Sequence, residues 1–193
     1  GLMEPKDGVR KGRILKLGVK APNDPIVKDR LHLKAHIGTE NFDRFKSRVG
    51  HNGIVTIKLD GASCYWEIGP KGMQFWSPRI SKVTGSRIDY NAKVGDLIHT
   101  NLQSRASGMG ELNYVDTKTG RVLSSAETGG ILNSNSPIPI GVKPVVTIYR
   151  VDKLNRKDIH NYDYGSQLFA IEGFASLHPD LRAPHIVTWE QAQ

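Results

Sequence analysis

The sequence contains a single cysteine, few aromatic residues and no long apolar run. Cys64 is the only cysteine among 193 residues, so no intramolecular disulfide can form, and a reducing cytoplasmic compartment is expected. No apolar stretch approaches the roughly 20 residues that a membrane-spanning helix needs. Aromatic residues make up 7% of the chain and hydrophobic residues 38%, which predicts a modest core. The protein is therefore not a small domain stabilised by disulfides.

Negative charge is also scarce relative to positive charge. The chain has 27 Lys and Arg against 19 Asp and Glu, which gives a formal net charge of +8. An excess of this sign suits a polyanionic partner, and nucleic acid is the first candidate. A basic protein without such a partner is the alternative.

Residues 1–38 are predicted to form a basic N-terminal arm, because glycine and proline interrupt any long helix there. Its first part carries a cluster of cations: Lys6, Arg10, Lys11, Arg13, Lys16 and Lys20. The arm is either a solvated segment or a contact for the phosphate backbone of a nucleic acid. Residues 39–193 are predicted to form one partial domain.

Hydrophobic periodicity predicts an α+β fold with antiparallel sheets and flanking helices. Residues 62–68 alternate as a strand does, a turn follows at Gly69-Pro70-Lys71-Gly72, and residues 73–76 return as a second strand. Further strands are predicted at 110–115, 145–151 and 185–189. Helices are predicted at 40–49, 94–102 and 166–177, with a turn at 116–120 and a loop at 124–139.

The tetrapeptide Lys58-Leu59-Asp60-Gly61 follows the β-branched run at residues 54–57. A lysine near its ordinary pKa of about 10.4 is protonated and cannot attack. Burial or a neighbouring cation lowers the pKa of such an amine and frees its lone pair. Asp60 can then orient the amine or bind a ribose hydroxyl or a metal ion, and Gly61 lets a nucleotide approach the backbone. The alternative is an ordinary Asp-Gly hairpin turn preceded by an exposed lysine.

Several segments resemble, in order, the motifs of the nucleotidyltransferase (adenylation) domain of ATP-dependent DNA ligases of the small bacteriophage type. Lys58-Leu59-Asp60-Gly61 resembles motif I, and residues 75–82 resemble the Ser-Arg segment that follows, with Pro78 as an insertion. Gly110-Glu111-Leu112 resembles motif III, and Val146-Thr147-Ile148-Tyr149 resembles motif IIIa. Residues 119–121 and 125–132 resemble the polar loop found there in phage enzymes. The resemblance covers roughly residues 50–155.

The resemblance implies an ATP-grasp-like ligase adenylation fold in which Lys58 attacks the α-phosphate of ATP. The resulting lysine–AMP intermediate would serve to seal nicked double-stranded DNA. Arg79 would hold phosphate, Glu111 would contact ribose or bind Mg²⁺, and Tyr149 would stack on adenine. The implied nucleotide-binding residues are Thr56, Ile57, Asp60, Gly61, Arg79, Glu111 and Tyr149.

The sequence departs from the family pattern in several places. Ser63 stands where DNA ligases commonly carry arginine, and Thr56 stands where many have glutamate. Ile171-Glu172-Gly173 is rejected as motif IV because it lies in a helical pattern, and the Lys-x-Lys of motif V is not found, since no lysine follows Lys157. The adenylation domain is therefore expected to be incomplete at its C-terminus. The chain as given is expected not to seal nicks and to adenylylate itself slowly at best.

Two other classes of function stay open at this point. The chain can be a non-catalytic nucleic-acid-binding or structural protein on a ligase-derived scaffold, since motifs IV and V are missing. It can also be an RNA ligase or a GTP-using capping enzyme, because these share Lys-x-Asp-Gly or close variants.

The basic arm generates the first testable prediction. Each phosphate contact made by a lysine or arginine contributes about −0.9 to the slope of log K against log salt concentration. Deleting residues 1–20 should therefore flatten the salt dependence of duplex DNA binding, measured by fluorescence anisotropy. A variant with the arm's cations changed to glutamine should behave like the deletion. An unchanged slope would show that the arm is a solvated segment that makes no phosphate contacts.

Overall fold

A computed structural model of the chain describes residues 55–56 and 59–187, and these contain nine strands and two α-helices. The strands are β1 (Val55–Thr56), β2 (Ala62–Gly69), β3 (Gly72–Ile80), β4 (Arg87–Asp89), β5 (Ala106–Asp116), β6 (Val142–Leu154), β7 (Lys157–Asp158), β8 (Leu181–Arg182) and β9 (Ile186–Val187). The helices are α1 (Ser125–Leu132) and α2 (Tyr164–Ala175). No helix in the described ranges is long and apolar enough to span a bilayer.

The main sheet has the order β4-β3-β2-β5-β6-β7, and every neighbouring pair along this path is antiparallel. β8 pairs in parallel with β6 and lies outside this linear strand order. β1 pairs with β9 in a separate two-stranded sheet. The sequence-based prediction of a mainly antiparallel α+β fold is therefore confirmed. Two α-helices were predicted within the described residues and two are present, but only one of them, α2, lies where the sequence predicted a helix.

The alternating pattern of β2 separates the two faces of the main sheet. Cys64, Trp66 and Ile68 are buried in the main core, which confirms the predicted strand and its inward face. Ser63 and Tyr65 point to the opposite face, because successive side chains of a strand alternate. The β2–β3 hairpin closes where Gly69 pairs with Gly72, as the sequence predicted. We call the side of the sheet that carries Ser63, Tyr65 and Glu111 the polar face.

Two β-bulges distort the long β5–β6 pair. Gly110 pairs with Ile148 and Met109 with Arg150, so Tyr149 is an extra residue without a partner across the ladder. A second shift in the register leaves Asp152 as the other extra residue. Bulges redirect side chains and are common beside functional sites. The bulge at Tyr149 therefore lies where the sequence predicted a nucleotide-stacking aromatic.

The structure corrects two predictions of local structure and leaves one outside the described residues. The segment 124–139, predicted as loop, contains helix α1, because Ser124 and Glu127 form a capping box at its start. The helix predicted at 94–102 is instead a 3-10 turn over Gly95–His99, preceded by another at Asn91–Lys93. The helix predicted at 40–49 lies outside the described residues.

Helix α2 packs on the core face of the sheet through Leu168, Ile171 and Phe174, as its periodicity predicted. The main polar contact between α2 and the sheet is made by Gln167, which is fully buried. The Gln167 amide accepts the Val151 N–H (2.9 Å) and donates to the Val151 carbonyl (2.8 Å) and the Ile159 carbonyl (2.6 Å). One side chain thus joins α2 to the end of β6.

We expect Gln167→Leu to destabilise the fold strongly, because it removes three buried hydrogen bonds, two of them to Val151, while the Ile159 carbonyl keeps only the Tyr162 N–H. A loss of about 3 kcal/mol in the free energy of unfolding follows from the desolvation cost of unsatisfied groups. Urea unfolding measures it. Gln74→Leu, an exposed position on β3, is the control and should change stability by less than about 0.5 kcal/mol. Equal effects of the two substitutions would contradict this account.

Candidate active site

The Asp60–Gly61 turn lies against β5 at the start of β2. The Gly61 N–H donates to Glu111 Oε1 at 3.1 Å, and the Asn113 side-chain amide donates to the Asp60 carbonyl at 2.7 Å. The segments that resemble motifs I and III, 50 residues apart in the sequence, therefore meet in the structure. A side chain on Gly61 would overlap the Leu112 carbonyl and lie 2.6 Å from Asn113 Nδ2, so the close approach requires glycine.

Lys58 and Ile57, which the sequence predicted as the nucleophile and a pocket residue, lie outside the described residues. Thr56 is described only through its backbone, which pairs with Ile186 in the β1–β9 sheet. Asp60 is exposed, and its Oδ2 accepts the Ser125 N–H at 3.3 Å. The roles predicted for Lys58, Ile57, Thr56 and Asp60 stay predictions.

Glu111 is half-buried on the polar face, between the strands on either side of β5. It pairs in register with Ser63 on β2 and with Thr147 on β6. Its Oε2 accepts the Ser63 hydroxyl at 3.3 Å, while Oε1 accepts the Gly61 N–H. Because an ionised carboxylate offers about four lone-pair directions, both oxygens can also take a cation or a hydroxyl donor. Ser63, where the family pattern has arginine, is thus a hydroxyl donor to Glu111.

Tyr149 lies on the same face as Glu111, at the bulge of β6. It packs against a small cluster made of Tyr65, Trp76 and Met109, separate from the main core. Burial raises the pKa of the Tyr149 hydroxyl, and a hydrogen bond with Ser63 partly opposes that shift. Ser63 therefore contacts both Glu111 and Tyr149, and it links the residues predicted for ribose and for adenine.

Two arginines, Arg79 and Arg87, lie near the C-terminal end of β3, which is beside the start of β2. Arg79, the predicted phosphate ligand, is exposed, and its carbonyl accepts the Ser77 hydroxyl at 2.8 Å. Arg87 on β4 is only 3% exposed, donates to the carbonyls of Ser77 and Pro78, and lies 5.3 Å above the Tyr65 ring. Sequence reasoning missed Arg87, because only the pairing of β3 with β4 brings it to this face.

A cleft of about 190 Å³ adjoins the motif turn. Leu59, Asn113 and Thr147 line its inner part, and the exposed residues Arg182 and His185 lie at its rim. The segment between β8 and β9 thus approaches the turn from the C-terminal part of the chain. No local sequence signal marked Arg182 or His185, since their position depends on the pairing of β8 with β6.

Among the described residues, Asp96, His178 and Asp180 are close enough to be considered as metal ligands, with their ligating atoms within 4.8 Å of one another. His178 Nδ1 accepts the Asp180 N–H at 2.9 Å, which places the ring proton on Nε2, 3.2 Å from Asp96. A metal at Nε2 would require the proton on Nδ1, facing another N–H. Asp180 is in turn paired with Lys143 at 3.0 Å. The cluster is therefore a structural link and not a metal site.

Comparison with known proteins found no matching family model and no matching curated protein. Among solved structures, the chain is similar to a mycobacterial DNA ligase D complexed with ATP and MES. The identity is 14% and the TM-score 0.49, over 69% of this chain and 39% of that one. At this identity and TM-score the likeness assigns neither an activity nor a ligand to the present chain.

We expect Gly61→Ala to destabilise the protein, because the new methyl group must displace β5 or Asn113. Overpacking of this kind costs about 1–3 kcal/mol, measurable by urea unfolding. Gly130→Ala is the control, since a methyl group there meets nothing within 4 Å inside α1 and should stabilise by about 0.5–1 kcal/mol. A Gly61→Ala protein as stable as the control would contradict the close approach.

Proposed function

We propose that this chain carries the adenylation domain of an ATP-dependent polynucleotide ligase, with Lys58 as the nucleophile. The observation that carries the proposal is the contact between Gly61 and Glu111, which joins the segments that resemble motifs I and III. Tyr149, in the segment that resembles motif IIIa, lies on the same face and shares Ser63 as a neighbour. The order of the motifs in the sequence and their meeting in space thus support the same function.

In the proposed reaction, the unprotonated Lys58 amine attacks the α-phosphate of ATP. A nitrogen–phosphorus bond forms, the bond to the bridging oxygen breaks, and pyrophosphate leaves with the electron pair. Charge builds on the phosphate oxygens, and positioned cations stabilise it. Arg79, exposed at the end of β3, is the cation that we assign to this task.

Glu111 is the residue that would hold Mg²⁺ in this site. Mg²⁺ is usually bound by one or two carboxylates together with substrate phosphates, and Glu111 supplies one half-buried carboxylate on the polar face. When bound, the ion would neutralise phosphate charge. The Ser63 hydroxyl and the Gly61 N–H hold the carboxylate in place for this role.

Tyr149 would form one wall of the adenine slot. Its bulged position turns the ring onto the polar face, and Tyr65, Trp76 and Met109 support it. Aromatic rings supply large, rigid surfaces for stacking. The ring is half-buried, so part of its surface is accessible for such a contact.

Nicked double-stranded DNA is the proposed partner, and most of the basic excess lies outside the described domain. Residues 59–187 carry fourteen Lys and Arg against twelve Asp and Glu, so most of the net charge of +8 belongs to the remaining residues. Long-range attraction to a phosphate backbone would therefore come chiefly from residues 1–58. Cys64 is buried and free, which suits the reducing cytoplasmic compartment proposed for the protein.

Incubation with α-³²P-ATP and Mg²⁺ tests the proposal. We expect an acid-labile label on the chain that Lys58→Ala abolishes and that Lys71→Ala, a change at an exposed hairpin lysine, leaves intact. Unlabelled ATP should compete better than GTP. Absence of label, or label that survives Lys58→Ala, would refute the proposal.

A further inference from the structure

The Asp60–Gly61 turn has two further contacts that the proposed chemistry does not use. One comes from Asn113 on β5, and the other comes from the first turn of α1. Both contact the two residues that follow Leu59, and neither belongs to the segments that resembled ligase motifs I, III or IIIa.

Asn113 is an energetically unfavourable residue at its position in the strand. It lies within β5, is 3% exposed, and its Oδ1 has no hydrogen-bond partner among the described residues. Asparagine is depleted in strands, and a buried unsatisfied carbonyl costs stability. Its other amide atom, Nδ2, donates to the Asp60 carbonyl at 2.7 Å. Positions that break local rules in this way are commonly functional, and the Asp60 contact is the one that Asn113 supplies.

The first turn of α1 contacts the same turn from the other side. The Ser125 N–H donates to Asp60 Oδ2 at 3.3 Å, and the Ser125 hydroxyl donates to the Gly61 carbonyl at 3.4 Å. A carboxylate is favoured at this place, because the N-terminus of a helix carries unsatisfied N–H groups and partial positive charge.

The helix start that makes these contacts is itself well fixed. Ser124 and Glu127 form a reciprocal capping box, and Arg121 binds the Glu127 carboxylate through two nitrogens at 3.0 and 3.1 Å. The hydrogen bond from Arg121 lowers the pKa of Glu127 to about 2, so the carboxylate stays charged and the cap intact at neutral pH. The start of α1 is therefore fixed in position, and with it the Ser125 N–H that donates to Asp60.

We propose that Asn113 and Ser125 are positioning residues that hold the Asp60–Gly61 turn and so set the orientation of Lys58. The proposal rests on the proposed function, in that Lys58 is the group to be positioned. Asn113 fixes the backbone of the turn, Ser125 fixes the Asp60 carboxylate, and Glu111 fixes the Gly61 N–H. Three elements distant in sequence thus restrain the two residues that lie next to Leu59.

Ser125→Pro removes the donor with little harm to the helix. Ser125 is the first residue of α1, the position at which proline is favoured because its N–H is not used within the helix. Ser124 has φ −66° and ψ 167°, the extended conformation that a residue before proline adopts. Ser125→Ala keeps the N–H and loses only the hydroxyl that donates to the Gly61 carbonyl, so it separates the two contacts that Ser125 makes with the turn.

Asn113→Leu removes the other contact with nearly the same shape. A methyl group cannot approach a carbonyl oxygen as closely as 2.7 Å, so the Asp60 backbone must shift. Asn133→Leu is the matched control, because Asn133 Nδ2 donates to the Gly129 carbonyl at 2.9 Å at the far end of α1. It removes the same kind of hydrogen bond away from the turn.

Two measurements on the full chain test the proposal. The first is competitive acetylation by acetic anhydride between pH 6 and 10, which gives the reactivity of the Lys58 amine relative to that of Lys71 by mass spectrometry and needs no nucleotide. The second is the rate of AMP transfer from ATP, with the thermal midpoint recorded for each variant. We expect Ser125→Pro and Asn113→Leu to alter relative Lys58 reactivity by about tenfold and to slow AMP transfer by ~10- to 100-fold. The thermal midpoint of Ser125→Pro should not fall, so its effect on Lys58 is separate from any loss of stability in Asn113→Leu, which leaves the Asp60 carbonyl without this donor.

The outcomes separate this inference from the proposed function. If wild-type chain transfers no AMP but relative Lys58 reactivity changes in the two variants and not in Asn133→Leu, the ligase proposal fails and the positioning role stands. If Lys58 reactivity and AMP transfer stay within about twofold of wild type in both variants, the positioning role is wrong. It is equally wrong if the changes only accompany a lower thermal midpoint, since that would be a loss of folding.

Discussion

The hydrogen bond from the Gly61 N–H to the Glu111 carboxylate is the contact on which the candidate site depends. It lies where β2 begins, beside the pairing of Ser63 with Glu111, so it belongs to the register that decides the face of every residue on β2. A slip of one residue would turn Cys64 and Trp66 out of the core. Burial of those side chains therefore keeps Glu111 next to the motif turn.

The main sheet separates stability from chemistry by its two faces. The core face is apolar and is covered by α2, which Gln167 links to β6 through three hydrogen bonds. The polar face carries Glu111 and the Ser63 hydroxyl, and the bulge in β6 adds Tyr149 to them. A bulge on a strand with one buried face changes the aim of one side chain without moving the rest of the strand out of the core. Residues of the candidate site can therefore be substituted without changing the packing of the core.

Local patterns predicted the positions of the long strands but not the short strands β4, β7 and β8, and they missed helix α1. The period-two alternation over residues 62–68 was enough to predict β2, its inward residues and the hairpin turn, because one buried face imposes that period. Helix α1 was missed because serine, asparagine and Gly129-Gly130 suggested a loop. The spacing of Ser124 and Glu127, which forms the capping box, was the signal that outweighed them. The 3-10 turn at Gly95–His99 had helical spacing but is only five residues long.

The sequence by itself determined the order of the candidate motifs, the two faces of β2, and the strand that carries Glu111. These are local properties, because side-chain alternation and turn residues act over a few positions. The tertiary structure decided that Asn113 and Ser125, which are 53 and 65 residues from Asp60, contact it. It also decided that Arg87 lies over Tyr65. Such contacts depend on the register between strands and on how the α1 segment folds back over the sheet, and no pattern within a few residues of either partner encodes them.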